Sequence, residues 1–311
     1  MQSGTSYLDA FYGFGPFSFQ LVRGYDCPSH ATYLNSTFYS AETCRTHIES
    51  ICLFEFDGEH PIQRHTTANY VSVTKDNHFV VRWVSTVGNY DYMFSYTFHL
   101  DGTIGVEVRA SGYIQSAYYA NNQDYGFQIQ DHLSGSMHDH VLNFKADFDI
   151  LGTKNSLQLV SMVPTTTTYS WSRGKPRNTM KLKREFVETE DQGRFNWAGP
   201  MQVIVVNENA ANPYGEPRGY RIKPYTGTGH LTVQNSTNLG KAARWAEHDI
   251  HVTKRKDTEP RSAHAWNNQD IYDPPIDFSR FFDGESLRNE DLVLWLNLGM
   301  VCGHISRTVK W

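Results

Sequence analysis

Apolar and polar residues alternate with a period of two along two stretches of this sequence. In the first stretch every second residue is aromatic, namely Tyr90, Tyr92, Phe94, Tyr96 and Phe98. In the second stretch the matching face consists of Leu142, Phe144, Ala146, Phe148 and Ile150. Because successive side chains of a β-strand point to opposite sides, both stretches predict strands with one buried face. The chain is therefore expected to build its core from sheets.

Shorter runs of β-branched and aromatic residues, separated by Gly, Pro, Asn and Asp, predict further strands. They cover residues 17–23, 51–56, 70–74, 79–84, 103–110, 157–162, 180–187, 201–206 and 292–298. Asp101-Gly102 is a hairpin signal, so an antiparallel meander is expected around it. Helical periodicity is weak, and its best candidate is a short turn at 239–247. With 311 residues and 39% hydrophobic content, the chain can bury a substantial core, which favours one large all-β domain.

The composition excludes two classes of partner. Lys and Arg total 28 against 33 Asp and Glu, and the positive charges are scattered, so the chain lacks the basic patch that nucleic acid requires. No apolar run is long enough to span a membrane, and the first residues lack the basic start and apolar block of a signal peptide. We therefore expect neither a nucleic-acid partner nor a membrane span in this chain.

The cysteines are too few for a disulfide scaffold, and none of them forms a zinc-type pairing such as C-x-x-C. They are Cys27, Cys44, Cys52 and Cys302. Two of the four could form one bridge. Asn35 and Asn235 each begin an Asn-Ser-Thr triplet, which fits a secretory history.

Two pairs of residues are candidate metal ligands. The register of the second alternating stretch, extended backward, places His138 and His140 on its apolar face. Two imidazoles at i and i+2 have Cα atoms roughly 7 Å apart and can hold one metal ion between them. Asp147 and Asp149 lie on the opposite face and offer hard oxygen ligands suited to calcium. The alternatives are hydrogen-bonded core histidines and solvated surface carboxylates.

A carboxylate near the start of the chain and a tyrosine in the first alternating stretch are candidates for chemistry. Asp9 lies in an apolar segment, which disfavours its charged form, and the raised pKa that follows suits a general base. The alternative is a turn aspartate beside residues 13–16. Tyr90 belongs to the segment T-V-G-N-Y-D-Y at 86–92, and on its own it reads as an ordinary aromatic residue of a sheet.

Together these features resemble the catalytic domain of the copper amine oxidases, the quinone enzymes that use topaquinone. The segment at 86–92 matches the family's cofactor motif, T-x-x-N-Y-D/E, and His138 and His140 follow it at a suitable distance. The similarity runs in order from about residue 6 to residue 300. Its other segments are 7–10 (YLDA), 26–28 (DCP), 52–55 (CLFE), 218–221 (RGYR), 268–270 (NQD) and 290–293 (EDLV).

The resemblance implies a role for each active-site residue that matches the family's pattern. Tyr90 would be oxidised to topaquinone by copper and oxygen. His138 and His140 would be two of the three copper(II) ligands, which fits the affinity of imidazole sites for this ion. Asp9 would be the catalytic base, and Asn89 would restrain the orientation of the quinone ring.

The resemblance also implies structural bonds and ions. Cys27 and Cys52 would form the disulfide bond of the domain, which leaves the other two cysteines free. A structural calcium ion would bind Asp147, the carbonyl group of Phe148, Asp149 and Asp291. Residues that match a second calcium site more loosely are Glu190, Phe281, Asp283 and Glu285.

For the whole domain, the resemblance implies a large antiparallel β-sandwich, homodimeric in its full-length form, that acts on a primary amine and O2. The products would be an aldehyde, ammonia and hydrogen peroxide. The residue types agree with this reaction. A primary amine needs a carbonyl electrophile, no standard side chain is one, and so the protein must make or bind a cofactor.

The sequence departs from the family's pattern near its end. The third copper histidine is expected in a Gly-x-x-His pattern after the last strand, but Gly299 is followed by Cys302 at that position, and His304 comes two positions late. Residues 301–311 read as a divergent tail, and 1–311 as one incomplete catalytic domain, truncated at both ends. With one copper ligand missing, we expect Tyr90 to be oxidised poorly in this chain.

Two other functions are alternatives. An inactive relative would keep the β-sandwich as a structural domain. A zinc hydrolase would use His138 and His140, although the chain contains no His-Glu-x-x-His motif. The implied disulfide bond and the two Asn-Ser-Thr triplets predict a secreted, extracellular protein, with an organelle as the alternative location.

Overall fold

The computed structural model describes residues 14–39, 44–121, 123–197, 201–224, 235–237 and 239–302. Within them the strands pair in antiparallel sheets joined by loops and short 3-10 helices, which confirms the all-β class. These helices are Gly15–Phe17, Gln123–Tyr125, Ser170–Ser172, Glu190–Gln192, Arg244–Ala246 and Phe278–Phe281. None of the described helices is long and apolar enough to cross a bilayer.

The first sheet is a five-stranded antiparallel meander in which sequence order equals spatial order. Its strands are β1 (Thr32–Tyr39), β2 (Cys44–Thr66), β3 (Val71–Val87), β4 (Tyr90–His99) and β5 (Ile104–Gly112). The predicted segments 70–74 and 79–84 prove to be parts of the single strand β3. Gly102, with a φ of +83°, forms the predicted hairpin turn between β4 and β5.

One sequence-based prediction of local structure is wrong. Residues 17–23 were expected to form a strand, but the 3-10 helix Gly15–Phe17, with Pro16 in its first turn, leads into this segment, which then makes isolated bridges at Ser18 and Arg23. The backbone N–H of Val22 donates to Asp26 Oδ2 at 2.6 Å, and this turn removes Val22 from any ladder. The short turn expected at 239–247 is confirmed, as turn residues at 240–243 are followed by the 3-10 helix Arg244–Ala246.

Two four-stranded sheets enclose the largest core. Their strands are β9 (His138–Asp147), β10 (Ser156–Thr167), β11 (Arg177–Phe186), β12 (Arg194–Phe195), β13 (Gln202–Ala211), β14 (Pro217–Ile222), β15 (Ile250–Lys254) and β16 (Leu292–Cys302). One sheet has the order β12-β15-β16-β9, and the other β11-β10-β13-β14. Leu157 and Val203 of one sheet belong to the same buried cluster as Ile250 and Leu294 of the other. This packing confirms the predicted antiparallel sandwich.

A second core joins the five-stranded sheet to the sheet that contains β9. Tyr92 and Phe94 of β4 pack in one cluster with Leu142 and Phe144 of β9 and with Leu298 of β16. A small sheet of β6 (Ser116–Tyr118), β8 (Leu133–Ser136) and β7 (Gly126–Gln130) lies between β5 and β9 in the chain. The two alternating stretches of the sequence therefore meet face to face.

The predicted disulfide bond between Cys27 and Cys52 is present. Both cysteines are buried in a cluster with Leu21, Phe54 and Val80, so the bond ties the segment before β1 to the centre of β2. Cys44 is an exposed free thiol, as expected.

Candidate active site

Tyr90 is the first residue of β4, and a two-residue turn of Gly88 and Asn89 connects it to β3. Gly88 has a φ of +61°, a left-handed value that glycine adopts without steric cost. On the other face of the strand, Thr86 Oγ1 donates to Asp91 Oδ1 at 2.6 Å. The turn thus fixes the backbone on both sides of the tyrosine.

The hydroxyl group of Tyr90 lies 2.8 Å from Nε2 of His138. Nδ1 of His138 is 2.6 Å from the carbonyl oxygen of Ser136, which can only accept. Nδ1 therefore carries the proton, and in a neutral imidazole Nε2 is then the acceptor. The hydroxyl of Tyr90 consequently donates to His138, and its oxygen accepts from the backbone N–H of Gln115 at 2.9 Å.

A second tyrosine and histidine pair lies beside the first. The hydroxyl group of Tyr92 is 2.7 Å from Nδ1 of His140, while Nε2 of His140 is buried and has no hydrogen-bond partner. Burial, and then the neighbouring His138, lower the pKa of His140 from 6.5 to about 4, so this imidazole is neutral near pH 7. The rings of His138 and His140 have centroids 4.8 Å apart.

Asn89 is held beside Tyr90 by the segment that follows β5. Its Nδ2 donates to Oε1 of Gln115 at 3.2 Å, and its carbonyl oxygen accepts from the N–H of Tyr113 at 2.8 Å. Gly112 has a φ of +100°, and a Cβ there would lie 2.3 Å from the carbonyl oxygen of Asn89. Gln115 and Gly112 were missed in the sequence because nothing in this loop marks it as a neighbour of Tyr90.

The structure brings together Tyr90, Asn89, His138 and His140 of the predicted site. Asp9 and His304 lie outside the described residues. In the ladder between β9 and β16 the Cα of Cys302 is paired with that of His138. Among the described residues, no third His, Cys, Asp or Glu forms a metal-binding group with the two histidines.

Known proteins are similar in sequence to this chain over most of its length. The sequence model described as "Copper amine oxidase, enzyme domain" matches residues 1–311. The chain belongs to the copper amine oxidase family. It is 52% identical over 302 residues to copper amine oxidase vicK1 of Bipolaris victoriae (strain FI3), covering 96% of this chain and 43% of that protein. It is 34% identical over 303 residues to bovine amine oxidase [copper-containing] 3, covering 96% and 40%.

Solved structures of copper amine oxidases and related enzymes share the fold. The crystal structure of Aspergillus nidulans amine oxidase has a TM-score of 0.91 and 64% identity, covering 96% of this chain and 40% of that one. The lysyl oxidase of Pichia pastoris has a TM-score of 0.90 and 41% identity, covering 94% and 40%. The chain thus spans about two fifths of the length of these relatives.

The carboxylates of the first calcium site implied by the copper amine oxidase pattern lie close together. One carboxylate oxygen from each of Asp147, Asp149 and Asp291 lies within 4.8 Å of the other two. Oδ1 of Asp291 is buried without a hydrogen-bond partner, and burial, followed by the charges of Asp147 and Asp149, raises the pKa of Asp291. A hard cation would relieve this repulsion and complete the bonding. Calcium at this site stays a prediction.

The looser second calcium site contains a lysine. Glu190, Asp283 and Glu285 offer oxygens within 4.8 Å of one another. However, Nζ of Lys256 lies 2.7 Å from Asp283 and 2.7 Å from Glu285. Both oxygens of Glu190 accept backbone N–H groups, from Lys254 and from Asp283. A calcium ion would have to compete with this ammonium group, so the group reads as an ion-pair cluster, and the prediction of calcium here remains open to test.

Proposed function

We propose that this protein oxidises primary amines to aldehydes, with release of ammonia and hydrogen peroxide, using copper(II) and a topaquinone formed from Tyr90. Membership of the copper amine oxidase family supports the reaction class. The observation that carries the proposal is the hydrogen bond of Tyr90 to Nε2 of His138, beside the unpartnered Nε2 of His140.

The donor set of the site fits copper(II). Nε2 of His138 and Nε2 of His140 would hold the ion, since imidazole nitrogen binds copper(II) more tightly than zinc. The carbonyl group of Ser136 and the hydroxyl group of Tyr92 hold the two Nδ1 atoms and so fix the ring orientations. When bound, copper(II) supplies the redox chemistry that turns Tyr90 into a quinone, and the quinone supplies the carbonyl electrophile that an amine requires.

The residues around Tyr90 hold its hydroxyl group at the copper site. The phenol donates to the lone pair of His138 Nε2, and copper(II) bound at that nitrogen would replace this hydrogen bond and lie beside the phenol oxygen. The backbone N–H of Gln115 points at the same oxygen and would stabilise the negative charge left on it. Asn89, held by Gln115, would restrain the ring from the other side.

Asp9 is proposed as the base that removes the α-proton of the amine. The support is the match of Tyr7-Leu8-Asp9-Ala10 to the family's pattern, together with an apolar sequence context that favours a raised pKa. A carboxylate whose pKa lies near the working pH is an efficient proton acceptor.

We also propose that Tyr90 is converted incompletely in this chain. Cys302 stands where the family's pattern has its third histidine, and its Cα is paired with that of His138. A copper ion held by two imidazoles would be bound less firmly, and the oxidation of Tyr90 depends on that ion.

The test is to express the protein with copper(II) in air, label it with phenylhydrazine, and measure the mass of the peptide that contains Tyr90 by mass spectrometry. We expect quinone absorbance and labelling well below one per chain, and none in His138→Ala. Absence of any label at full copper occupancy would contradict the amine oxidase. Labelling of every chain would contradict only the incomplete conversion. Bound zinc with an unmodified Tyr90 would favour a hydrolase.

Calcium is a further proposed ligand. The group of Asp147, Asp149 and Asp291, with the carbonyl oxygen of Phe148, is the proposed site, because it combines three carboxylates with a buried and unpartnered oxygen. Hard oxygen ligands of this kind suit calcium better than a transition metal.

We propose that the protein is secreted and that it is a homodimer in its full-length form. The disulfide bond between Cys27 and Cys52 supports an oxidising compartment.

The residues of β3 before His78 pair with β2 alone, and the exposed apolar side chains of Tyr70, Val71 and Val73 on this ribbon support contact with a second subunit. Light scattering of the purified protein measures its mass, and a monomer at micromolar concentration would contradict the dimer.

A further inference from the structure

A cluster of one carboxylate and three imidazoles lies at the far end of β4 from Tyr90. Asp76 and His78 are on β3, His99 is the last residue of β4, and His60 is on β2. Oδ1 of Asp76 is 2.9 Å from Nδ1 of His99, and its Oδ2 is 3.5 Å from Nε2 of His60 and 3.7 Å from Nδ1 of His78. The length of β4 separates this cluster from Tyr90 by roughly 30 Å.

The pleat of the sheet places three of these groups on one face. Asp76 and His78 are two residues apart on β3, so their side chains point the same way. His78 is the cross-strand partner of His99, and the two rings have centroids 4.4 Å apart. One ligand atom from each of the three residues lies within 4.8 Å of the others.

A bulge in β2 adds the fourth group. The register between β2 and β3 jumps at this point, so that residues 58–60 lie opposite Asp76 alone. Glu59 takes a left-handed φ of +62°. Gly58 packs directly on the carboxylate, since a Cβ at this position would lie 2.8 Å from Oδ2 of Asp76. The backbone therefore departs from regular pairing where it brings His60 to the carboxylate.

Hydrogen bonds within the cluster do not satisfy all of its nitrogens. Nδ1 of His78 is buried and has no hydrogen-bond partner, because Oδ2 of Asp76 at 3.7 Å is beyond hydrogen-bond distance. The Asp76 side chain is only 6% exposed. A buried nitrogen without a partner is destabilising, and a metal ion among these atoms would bond to it.

We propose that Asp76, His78 and His99, with His60 as a fourth ligand, bind a divalent transition-metal ion at a site separate from the copper histidines. Zinc(II) is the expected occupant, because imidazole nitrogens and a carboxylate oxygen in a four-ligand set are its preferred partners. The ion would join β2, β3 and β4 at the root of the β2–β3 ribbon, beyond which β3 pairs with β2 alone. It would therefore hold the bulge and fix the direction of the ribbon.

The experiment removes the copper site first. In the double variant His138→Ala/His140→Ala, chelator-treated protein is titrated with cobalt(II) and then with zinc(II). We expect one cobalt ion per chain with the intense visible bands of imidazole coordination, displacement of these bands by zinc, and a rise in the unfolding temperature on adding zinc. This background keeps the outcome independent of whether the protein oxidises amines.

Variants in the same background locate the ion. Asp76→Asn, His78→Gln and His99→Gln should each lose the cobalt bands and the zinc-induced stabilisation, and His60→Ala should weaken binding. His30→Ala, at an exposed position outside the cluster, should leave both signals unchanged. The unfolding temperature of each metal-free variant shows whether it still folds. If a variant does not fold, the test of the metal site rests on the number of cobalt ions bound by the parent double variant and on its visible bands. Absence of binding to the parent at micromolar metal, or equal binding in the folded Asp76→Asn variant, would overturn the proposal.

Discussion

The hydroxyl group of Tyr90 lies 2.8 Å from Nε2 of His138, although 48 residues separate the two in the sequence. A second contact of the same kind joins Tyr92 to His140 at 2.7 Å. Each tyrosine of β4 thus faces one histidine of β9 with the same i, i+2 spacing, and the two strands belong to different sheets. The packing between these sheets is sufficient to align the cofactor precursor with the metal ligands.

Replacing Tyr90 with Phe should abolish quinone formation and also destabilise the fold. The ring is kept, but the N–H of Gln115 and Nε2 of His138 lose their partner. We expect the free energy of unfolding to fall by about 1–3 kcal/mol. Urea unfolding measures this change, and Tyr118→Phe, at an exposed position, should alter it by less than about 0.5 kcal/mol. Equal stability of Tyr90→Phe and the parent would show that the hydroxyl bonds contribute nothing.

The metal-free protein should lose stability in acid because of His140. The pKa of this histidine is lowered from 6.5 to about 4 in the folded state, mainly by burial. Between these values the unfolded chain binds a proton that the folded chain does not, so the free energy of unfolding falls as pH is lowered from 6.5 to 4. The loss is at most about 3 kcal/mol. Unfolding curves at several pH values test this, and His140→Gln should flatten the profile. An unchanged slope in that variant would assign the acid sensitivity to other groups.

The buried faces of the strands could be predicted from the sequence, but the contacts made by loops could not. Alternation with a period of two placed Tyr90, His138 and His140 on inward faces, because a strand with one buried face has apolar residues at every second position. The contact of Gln115 with Tyr90 could not be predicted in this way, since it is made by a backbone N–H group, which every residue except proline has. The pairing of His78 with His99 depends on the register of β3 against β4, which local patterns do not determine.

Gly112→Ala should disturb Tyr90 through the backbone. The added Cβ would lie 2.3 Å from the carbonyl oxygen of Asn89 and 3.0 Å from Cα of Tyr90, so these atoms must shift. We expect loss of phenylhydrazine labelling and a fall in stability of about 1–3 kcal/mol. Gly102→Ala is the matched control, because Gly102 also has a positive φ but has open space around its Cβ position. If both variants label equally, the contact of Gly112 with Asn89 does not position the tyrosine.

Removal of calcium should destabilise the sandwich because the ion leaves the first calcium site, which contains Asp149, and not the second, which contains Glu285. In the site of Asp147, Asp149 and Asp291, Nε of Arg255 lies 3.2 Å from Oδ2 of Asp147, and Oδ1 of Asp291 has no hydrogen-bond partner, whereas Lys256 bridges Asp283 and Glu285. A calcium chelator should therefore lower the unfolding temperature of the parent but not that of Asp149→Asn. Glu285→Gln should retain the calcium response. A response that survives Asp149→Asn and disappears in Glu285→Gln would place the ion at the second group.

Cys302→His should increase the conversion of Tyr90. In the ladder between β16 and β9, position 302 is paired with His138, and it is the position at which the family's pattern has its third histidine. A third imidazole would hold copper(II) more firmly, because each neutral nitrogen donor adds to the stability of the complex. The yield of phenylhydrazine adduct per bound copper measures the change, and His304→Ala is the companion variant. If Cys302→His leaves the yield unchanged while His304→Ala abolishes it, His304 already completes the site.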